Sequence, residues 1–208
     1  MKDTYWWRKA SARTHRPCLF LDRDGVVVEE VNYLSDPRDV RLLVGVRDLI
    51  RAAVDRGWIV GLVTNQAGVG RGYYDWTQFE AVQAEVARQL DMGEEPFDFI
   101  AACGAHPEAV HDVLRITDHA WRKPAPGMLC HAVQALDIDV SRSVMIGDQI
   151  TDLRAGLAAG VERVVHVRTG HGEVSRDASV KWATTLDDPS VVLWMEDLST
   201  AVETLGWR

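Results

Sequence analysis

The run Cys18-Leu19-Phe20-Leu21, closed abruptly by Asp22-Arg23-Asp24-Gly25, constrains this chain more than any other stretch. Four apolar residues bounded by a turn signal read as a short buried strand of a parallel sheet. Open α/β sheets place their chemistry just beyond the carboxyl ends of such strands. Asp22 and Asp24 are therefore expected at a functional rim, both in reach of one hard cation. Asp and Gly are also ordinary turn residues, so the doublet alone does not separate a site from a plain strand-to-turn transition.

The rest of the chain repeats the pattern. Residues Trp58 to Val63 read as a second buried strand ending on Thr64-Asn65-Gln66, Phe97 to Ala102 as a third, and Ser143 to Gly147 as a fourth ending on Asp148. Arg163 to Val167 reads as a fifth, with one more short strand and a last helix near Glu196 to Leu205 expected within 180–208. Between them, apolar residues at helical spacing predict helices over Gly45 to Arg56, closed by Gly57, and over Trp76 to Leu90. Two more are expected from Gly127 through Leu136 and from Ile150 to Ala159, the latter stopped by Gly160. Residues 26–44 and 103–123 read as long loops, and Gly68, Gly70 and Gly72 punctuate another. Strands alternating with helices imply an α/β fold with a doubly wound parallel sheet.

The sequence reads as a basic N-terminal tail, 1–16, followed by one domain, 17–208. The tail carries Lys2, Arg8, Lys9, Arg13 and Arg16 against Asp3, and is expected as a tail or short helix packing Trp6 and Trp7 on the domain or on a second subunit. A chain of 208 residues can bury a real core. The net charge of −8 argues against a general nucleic-acid binder, which would have to neutralise a run of phosphates. Cys18, Cys103 and Cys130 are odd in number and widely spaced, a poor disulfide framework that fits a reducing compartment. No apolar run approaches the roughly 18 to 20 residues of a membrane span, and the N-terminus has no apolar signal core. The expectation is a cytoplasmic protein with neither membrane nor nucleic-acid partner.

Four chain segments bring unusual polar groups to the expected rim: Asp22 and Asp24, Thr64 and Asn65, Lys123 just before a helix, and Asp148 with Asp152. One task uses all of them. A carboxylate attacks a phosphoryl group, a Mg²⁺ ion held by carboxylates shields the approaching charges, and a hydroxyl, an amide and a lysine bind the phosphoryl oxygens. A second carboxylate protonates the leaving oxygen and later activates water. Taken singly, Thr64 also reads as a strand-end cap, Lys123 as a solvated charge, and Asp148 and Asp152 as carboxylates at a helix N-terminus.

In the order and spacing of Asp22-Arg23-Asp24-Gly25, Thr64, Lys123 and Gly147-Asp148-x-x-x-Asp152, the chain resembles the haloacid dehalogenase (HAD) superfamily of phosphatases over most of its length. The resemblance implies Asp22 as nucleophile and Asp24 as general acid/base. It further implies Mg²⁺ held by Asp22, the Asp24 backbone carbonyl and Asp148, with Thr64 and Lys123 on the transferring phosphoryl group. Three segments narrow it: Asp22 to Val26, Thr64-Asn65-Gln66-x-Gly68-x-x-Arg71-Gly72, and Arg122-Lys123-Pro124-x-Pro126-Gly127-Met128. They are similar to the histidinol-phosphate and heptose 1,7-bisphosphate phosphatase group, whose members have almost no cap domain. Short connections after residues 25 and 68 agree. Asn65, Gln66, Arg71 and Arg122 are then candidate substrate contacts. Two guanidinium groups suit a second phosphate or a carboxylate, and the alternative is that they pair with surface acids.

The chain also departs from that group, many members of which bind a structural zinc through a Cys-x-His and a Cys-x-Cys pair before the Arg-Lys-Pro motif. Here Cys103 is in place, Ala105 stands for the histidine, and His119 and Trp121 stand for the two later cysteines. Cys103, His106 and His119, with His111 or Asp118, offer a variant set; the favoured expectation is that the zinc is absent and Trp121 fills its place. Gln149 stands where the group often has lysine, and Val28 where asparagine is frequent. The leading expectation is a Mg²⁺-dependent phosphatase of a small phosphorylated metabolite, a heptose bisphosphate first and histidinol phosphate next. A DNA 3′-phosphatase shares the Thr-Asn-Gln-x-Gly loop, and a catalytically idle scaffold is the remaining alternative. The sequence leaves the oligomeric state open.

Overall fold

A computed structural model describes residues 4–10, 14–93 and 95–207; Lys2, Asp3 and Arg13 of the basic segment lie outside them. Strands β1 (Tyr5–Lys9), β2 (Cys18–Leu21), β3 (Ile59–Asn65), β4 (Phe99–Cys103), β5 (Val144–Gly147), β6 (Arg163–Val167) and β7 (Val192–Met195) form one sheet. Their order is β1-β4-β3-β2-β5-β6-β7, with every pair parallel except β1 on β4. Helices α1 (Val46–Asp55), α2 (Ala67–Gly70), α3 (Trp76–Leu90), α4 (Gly127–Leu136), α5 (Ile150–Ala159), α6 (Gly172–Ala183) and α7 (Ala201–Thr204) supply the crossovers and the C-terminal turn.

The central strands are buried on both faces, which is why β2 reads as an unbroken apolar run. Leu19, Leu21 and Leu62 face one core with Leu49 and Ile50 of α1 and Phe79, Val82 and Val86 of α3. Phe20, Val63 and Met145 face the other, with Leu129 and Leu136 of α4 and Leu153 of α5. Helix α3 starts where expected because Asp75 and Gln78 form a capping box: Gln78 N donates to Asp75 Oδ1 at 3.0 Å, and Asp75 N to Gln78 Oε1 at 3.1 Å. Register places Leu21 beside both Leu62 and Ile146, so the polar residues after β2, β3 and β5 emerge together at one edge of the sheet.

The fold departs from the expectations at three places. The N-terminal segment is neither a tail nor a helix over Tyr5–Lys9: it is the antiparallel edge strand of the sheet. Its aromatic residues alternate between faces, as a strand requires. Trp6 packs edge-on against Phe79 in one core, at 5.4 Å between centroids, while Trp7 stacks on Phe99 in the other, also at 5.4 Å. Helix α6 was not expected at all. It buries only Gly172, Ser179 and Ala183 while Val174 stays exposed, so no apolar stripe announces it. The last helix is also shorter than read, α7 following a 3-10 turn over Leu198–Thr200 that Asp197 caps. Among the described residues no helix is long and apolar enough to cross a membrane.

Candidate active site

The carboxyl ends of β2, β3 and β5, with the segment before α4, surround a cavity of about 450 Å³. Asp22, Asp24, Thr64, Asn65, Gln66, Arg122, Lys123 and Asp152 all line it. Lys123 is its electrostatic centre. The buried ammonium lies 2.6 Å from Asp152 Oδ1 and 3.0 Å from Asp22 Oδ1, and donates to the Val63 carbonyl at 2.8 Å. Burial alone would lower its pKa, yet the two carboxylates hold it well above the ordinary lysine value. Asn65 fixes the Lys123 backbone from both sides: its Nδ2 donates to the Lys123 carbonyl and its Oδ1 accepts from the Lys123 N–H, each at 3.0 Å.

The acids are held in contrasting ways. Burial pushes the Asp22 carboxyl up to about 7 against the pull of Lys123, with Asp152 and Asp24 adding to the rise. Asp22 Oδ1 accepts from Arg23 N at 2.7 Å. Asp148 is wholly buried, and burial with the neighbouring Asp152 and Asp22 charges lifts it to about 9. Its Oδ2 accepts from His171 N at 2.7 Å, while its buried Oδ1 has no hydrogen-bond partner. Gly25 and Gly170, both at positive φ, bring their backbones against this carboxylate, where a Cβ on either would strike Asp148 Oδ2. Asp152 is fully engaged, Oδ1 with Lys123 and Oδ2 accepting from Gln149 N at 2.9 Å.

Ligand oxygens of Asp22, Asp148 and Asp152 lie within 4.8 Å of one another, the only such acidic, thiol or imidazole group among the described residues. Three buried carboxylates against one lysine leave a negative excess, and an orphaned carboxylate oxygen points to a missing positive partner. Hard oxygen donors of this kind suit a divalent cation such as Mg²⁺. The cluster holds Asp22 and Asp148 of the expected metal set, with the Asp152 carboxylate in it and the Asp24 carboxylate outside it, and its donors fit a hard divalent cation.

Other expected residues sit differently. Gln66 is buried and its amide is spent inside the protein: Nε2 donates to Thr64 Oγ1 at 2.8 Å and Asp24 Oδ2 at 3.0 Å, and Oε1 accepts from Tyr74 OH at 2.5 Å. Arg71 is not among the residues lining the cavity; it pairs with Glu108 at 2.6 Å and donates to Tyr33 OH at 2.8 Å. The expected pair of arginines thus reduces to Arg122, whose Nη1 donates to the Ala105 carbonyl at 2.9 Å. In the long loop, Cys103 Sγ lies 3.6 Å from His119 Nδ1, which accepts from Trp121 N, while His106 Nδ1 accepts from Glu108 N. Trp121 packs on Tyr5 and His131.

The sequence reading missed Arg23, Glu30, Tyr74 and His171 as residues of this cavity. His171 had a usable signal, since it follows the end of β6 and strand ends carry the chemistry. Arg23 had the same signal, lying between Asp22 and Asp24 just beyond β2, whereas Glu30 and Tyr74 lie in positions that only the folded loops define.

Comparison with known proteins agrees with this geometry. Residues 120–188 match the HAD-hydrolase-like family model. A D-glycero-beta-D-manno-heptose-1,7-bisphosphate 7-phosphatase of Mesorhizobium japonicum is 38% identical over 192 residues, covering 92% of this chain and 85% of its own. The protein of that name from Escherichia coli K12 is 36% identical, over 74% of this chain and 80% of its own. A crystal structure of a D,D-heptose 1,7-bisphosphate phosphatase from B. bronchiseptica, complexed with magnesium and phosphate, superposes with a TM-score of 0.74 at 29% identity. It matches 91% of this chain and 97% of that one. With the doubly wound sheet and the acid-lysine cluster at its rim, these likenesses show that the chain belongs to the haloacid dehalogenase superfamily of phosphatases.

Proposed function

We propose that this phosphatase removes the 7-phosphate from D-glycero-D-manno-heptose 1,7-bisphosphate, using Mg²⁺ and a phosphoryl group carried transiently on Asp22. The observation that carries the chemistry is the buried Asp22–Lys123–Asp152 cluster beside the orphaned Asp148 oxygen. The substrate rests on the names of the relatives, over most of both chains. Asp22, the Asp24 carbonyl and Asp148 are the proposed metal ligands. An ion held there would supply positive charge against the phosphoryl oxygens and against the buried Asp148 carboxylate.

The protein's own groups divide the remaining work. An Asp22 carboxylate oxygen attacks phosphorus, and the bond from phosphorus to the sugar oxygen breaks as Asp24 delivers a proton to that oxygen. Water then attacks the aspartyl phosphate while Asp24 takes its proton, which frees inorganic phosphate and restores Asp22. Thr64 Oγ1 accepts from Gln66, which leaves its O–H to donate outward to a phosphoryl oxygen. Lys123, locked by three acceptors, presents fixed positive charge without reorganising. Arg122 spends one nitrogen on Ala105, so its other donors face the cavity for the second phosphate.

Phosphate release should require Mg²⁺ and favour the heptose bisphosphate over histidinol phosphate, fructose bisphosphate and a 3′-phosphorylated oligonucleotide. The expected margin is at least about tenfold in kcat/KM, worth about 1.4 kcal/mol. A preference for histidinol phosphate would keep the chemistry and overturn the substrate.

The long loop is proposed to stand without zinc, its shape set by the packing of Trp121 against Tyr5 and His131. Elemental analysis of protein purified without chelator should find far less than one equivalent of zinc; near one equivalent would overturn this reading.

A further inference from the structure

We infer that Tyr74 and Arg23 are positioning residues for Asp24, holding its carboxylate in a fixed cradle from which it serves the leaving-group oxygen. The inference rests on the reading of Asp24 as the proton-transferring acid. It adds two residues outside the nucleophile, phosphoryl-binding and metal-binding sets.

Both oxygens of Asp24 are gripped. Arg23 Nε donates to Oδ1 and Nη2 to Oδ2, each at 2.9 Å, and Gln66 Nε2 adds a third bond to Oδ2 at 3.0 Å. A bidentate guanidinium fixes the plane as well as the place of a carboxylate. Arg23 is itself immobilised: it is 1% exposed and its guanidinium lies 5.3 Å from the Phe79 ring centroid. So large a buried cation in the middle of the motif is not explained by the chemistry of Asp22 or of the metal ligands.

Tyr74 acts one bond further out. Its hydroxyl donates to Gln66 Oε1, which forces the amide to turn its Nε2 toward Asp24 and Thr64. Burial raises the phenol to about 12, so it remains an O–H donor throughout the working pH range. The ring reaches this place because residue 68 is glycine, and a Cβ there would collide with it. A chain of contacts thus runs from Gly68 through Tyr74 and Gln66 to Asp24.

The test uses leaving groups. A sugar hydroxyl departs as an alkoxide unless protonated, whereas p-nitrophenolate needs no acid, and kcat/KM reports only the steps through leaving-group departure. Tyr74→Phe removes the hydroxyl and keeps the ring. It should lower kcat/KM for the heptose bisphosphate by about tenfold or more and for p-nitrophenyl phosphate by less than about twofold. Gly68→Ala, which displaces the ring, should reproduce the same split. Equal losses on both substrates would mean a merely structural role and overturn the inference, as would no loss on either. Wild-type failure on the heptose alone would overturn the substrate reading, and the comparison would then be made with the fastest alkyl phosphate. Inactivity of the wild type on every phosphate would overturn the phosphatase mechanism and this inference with it.

Discussion

Asp22→Asn will stop phosphate release, with turnover falling by about 10⁴-fold or more, and will leave the fold intact. Loss of a nucleophile commonly costs factors of this size, and the amide has almost the shape of the carboxylate it replaces. Lys123 keeps its 2.6 Å contact with Asp152 and its bond to the Val63 carbonyl, so the cluster does not collapse. The metal-free variant should also be the more stable protein at neutral and alkaline pH. Burial raises Asp22 from 3.8 to about 7. An acid whose folded pKa is raised contributes stability that is complete below its unfolded pKa and is lost as pH rises through the folded one. Asparagine does not titrate, so the variant's advantage should grow between pH 4 and 7, each tenfold change in proton affinity being worth about 1.4 kcal/mol. Phosphate release with Mg²⁺ and melting curves in EDTA at pH 5 and 8 measure both halves. Turnover above about 1% of wild type would remove Asp22 from its role. An advantage that shrinks with pH would mean the buried charge is compensated by something other than Lys123.

What the chain discloses before folding depends on whether a residue's position is fixed locally. Asp22 and Asp148 each follow a buried strand, Thr64 lies in the last two residues of β3, and strand ends in a parallel sheet meet at one rim; their convergence therefore follows from alternation alone. Helices α3 and α5 carry caps and an apolar side, and their bounds are read to the residue. Helix α6 carries neither signal, because what it buries is small, and β1 was obscured by basic residues around two tryptophans that face opposite cores. Arg71 and Arg122 look equivalent in sequence. Glu108, thirty-seven positions downstream, captures one of them, and the Ala105 carbonyl orients the other toward the cavity. The same limit hides the cradle of Asp24, since Gln66 reads as a substrate contact until Tyr74 is seen bonded to its amide oxygen.

The second large effect belongs to Lys123→Met, which removes the cation and keeps most of the volume. Two carboxylates, 2.6 and 3.0 Å from the ammonium, are left in a site where Lys123 and Asp152 are each almost wholly buried. Breaking a buried pair from one side costs about 3–5 kcal/mol, because the remaining charge has neither water nor partner. The cost should depend on pH with a definite sign. Lysine's pKa is raised in the folded protein, so its contribution is constant across the working range and would fade only above the ordinary lysine value. The carboxyls titrate instead. Asp22 and Asp148 are protonated at low pH and call for no cation, and as pH rises through the range in which Asp22 and then Asp148 ionise, the missing ammonium is felt more strongly. The metal-free variant should therefore lose less stability at pH 4.5 than at pH 8, with added Mg²⁺ restoring part of the difference by binding only the folded state. Phosphate release at saturating Mg²⁺ should fall by about 10²–10³-fold, the size expected when one fixed electrostatic donor is lost. Urea melts at the two pH values, with and without Mg²⁺, decide the matter. A deficit that is equal at both would mean that Lys123 contributes packing rather than charge, and the electrostatic reading of the cluster would then fail even if activity were lost.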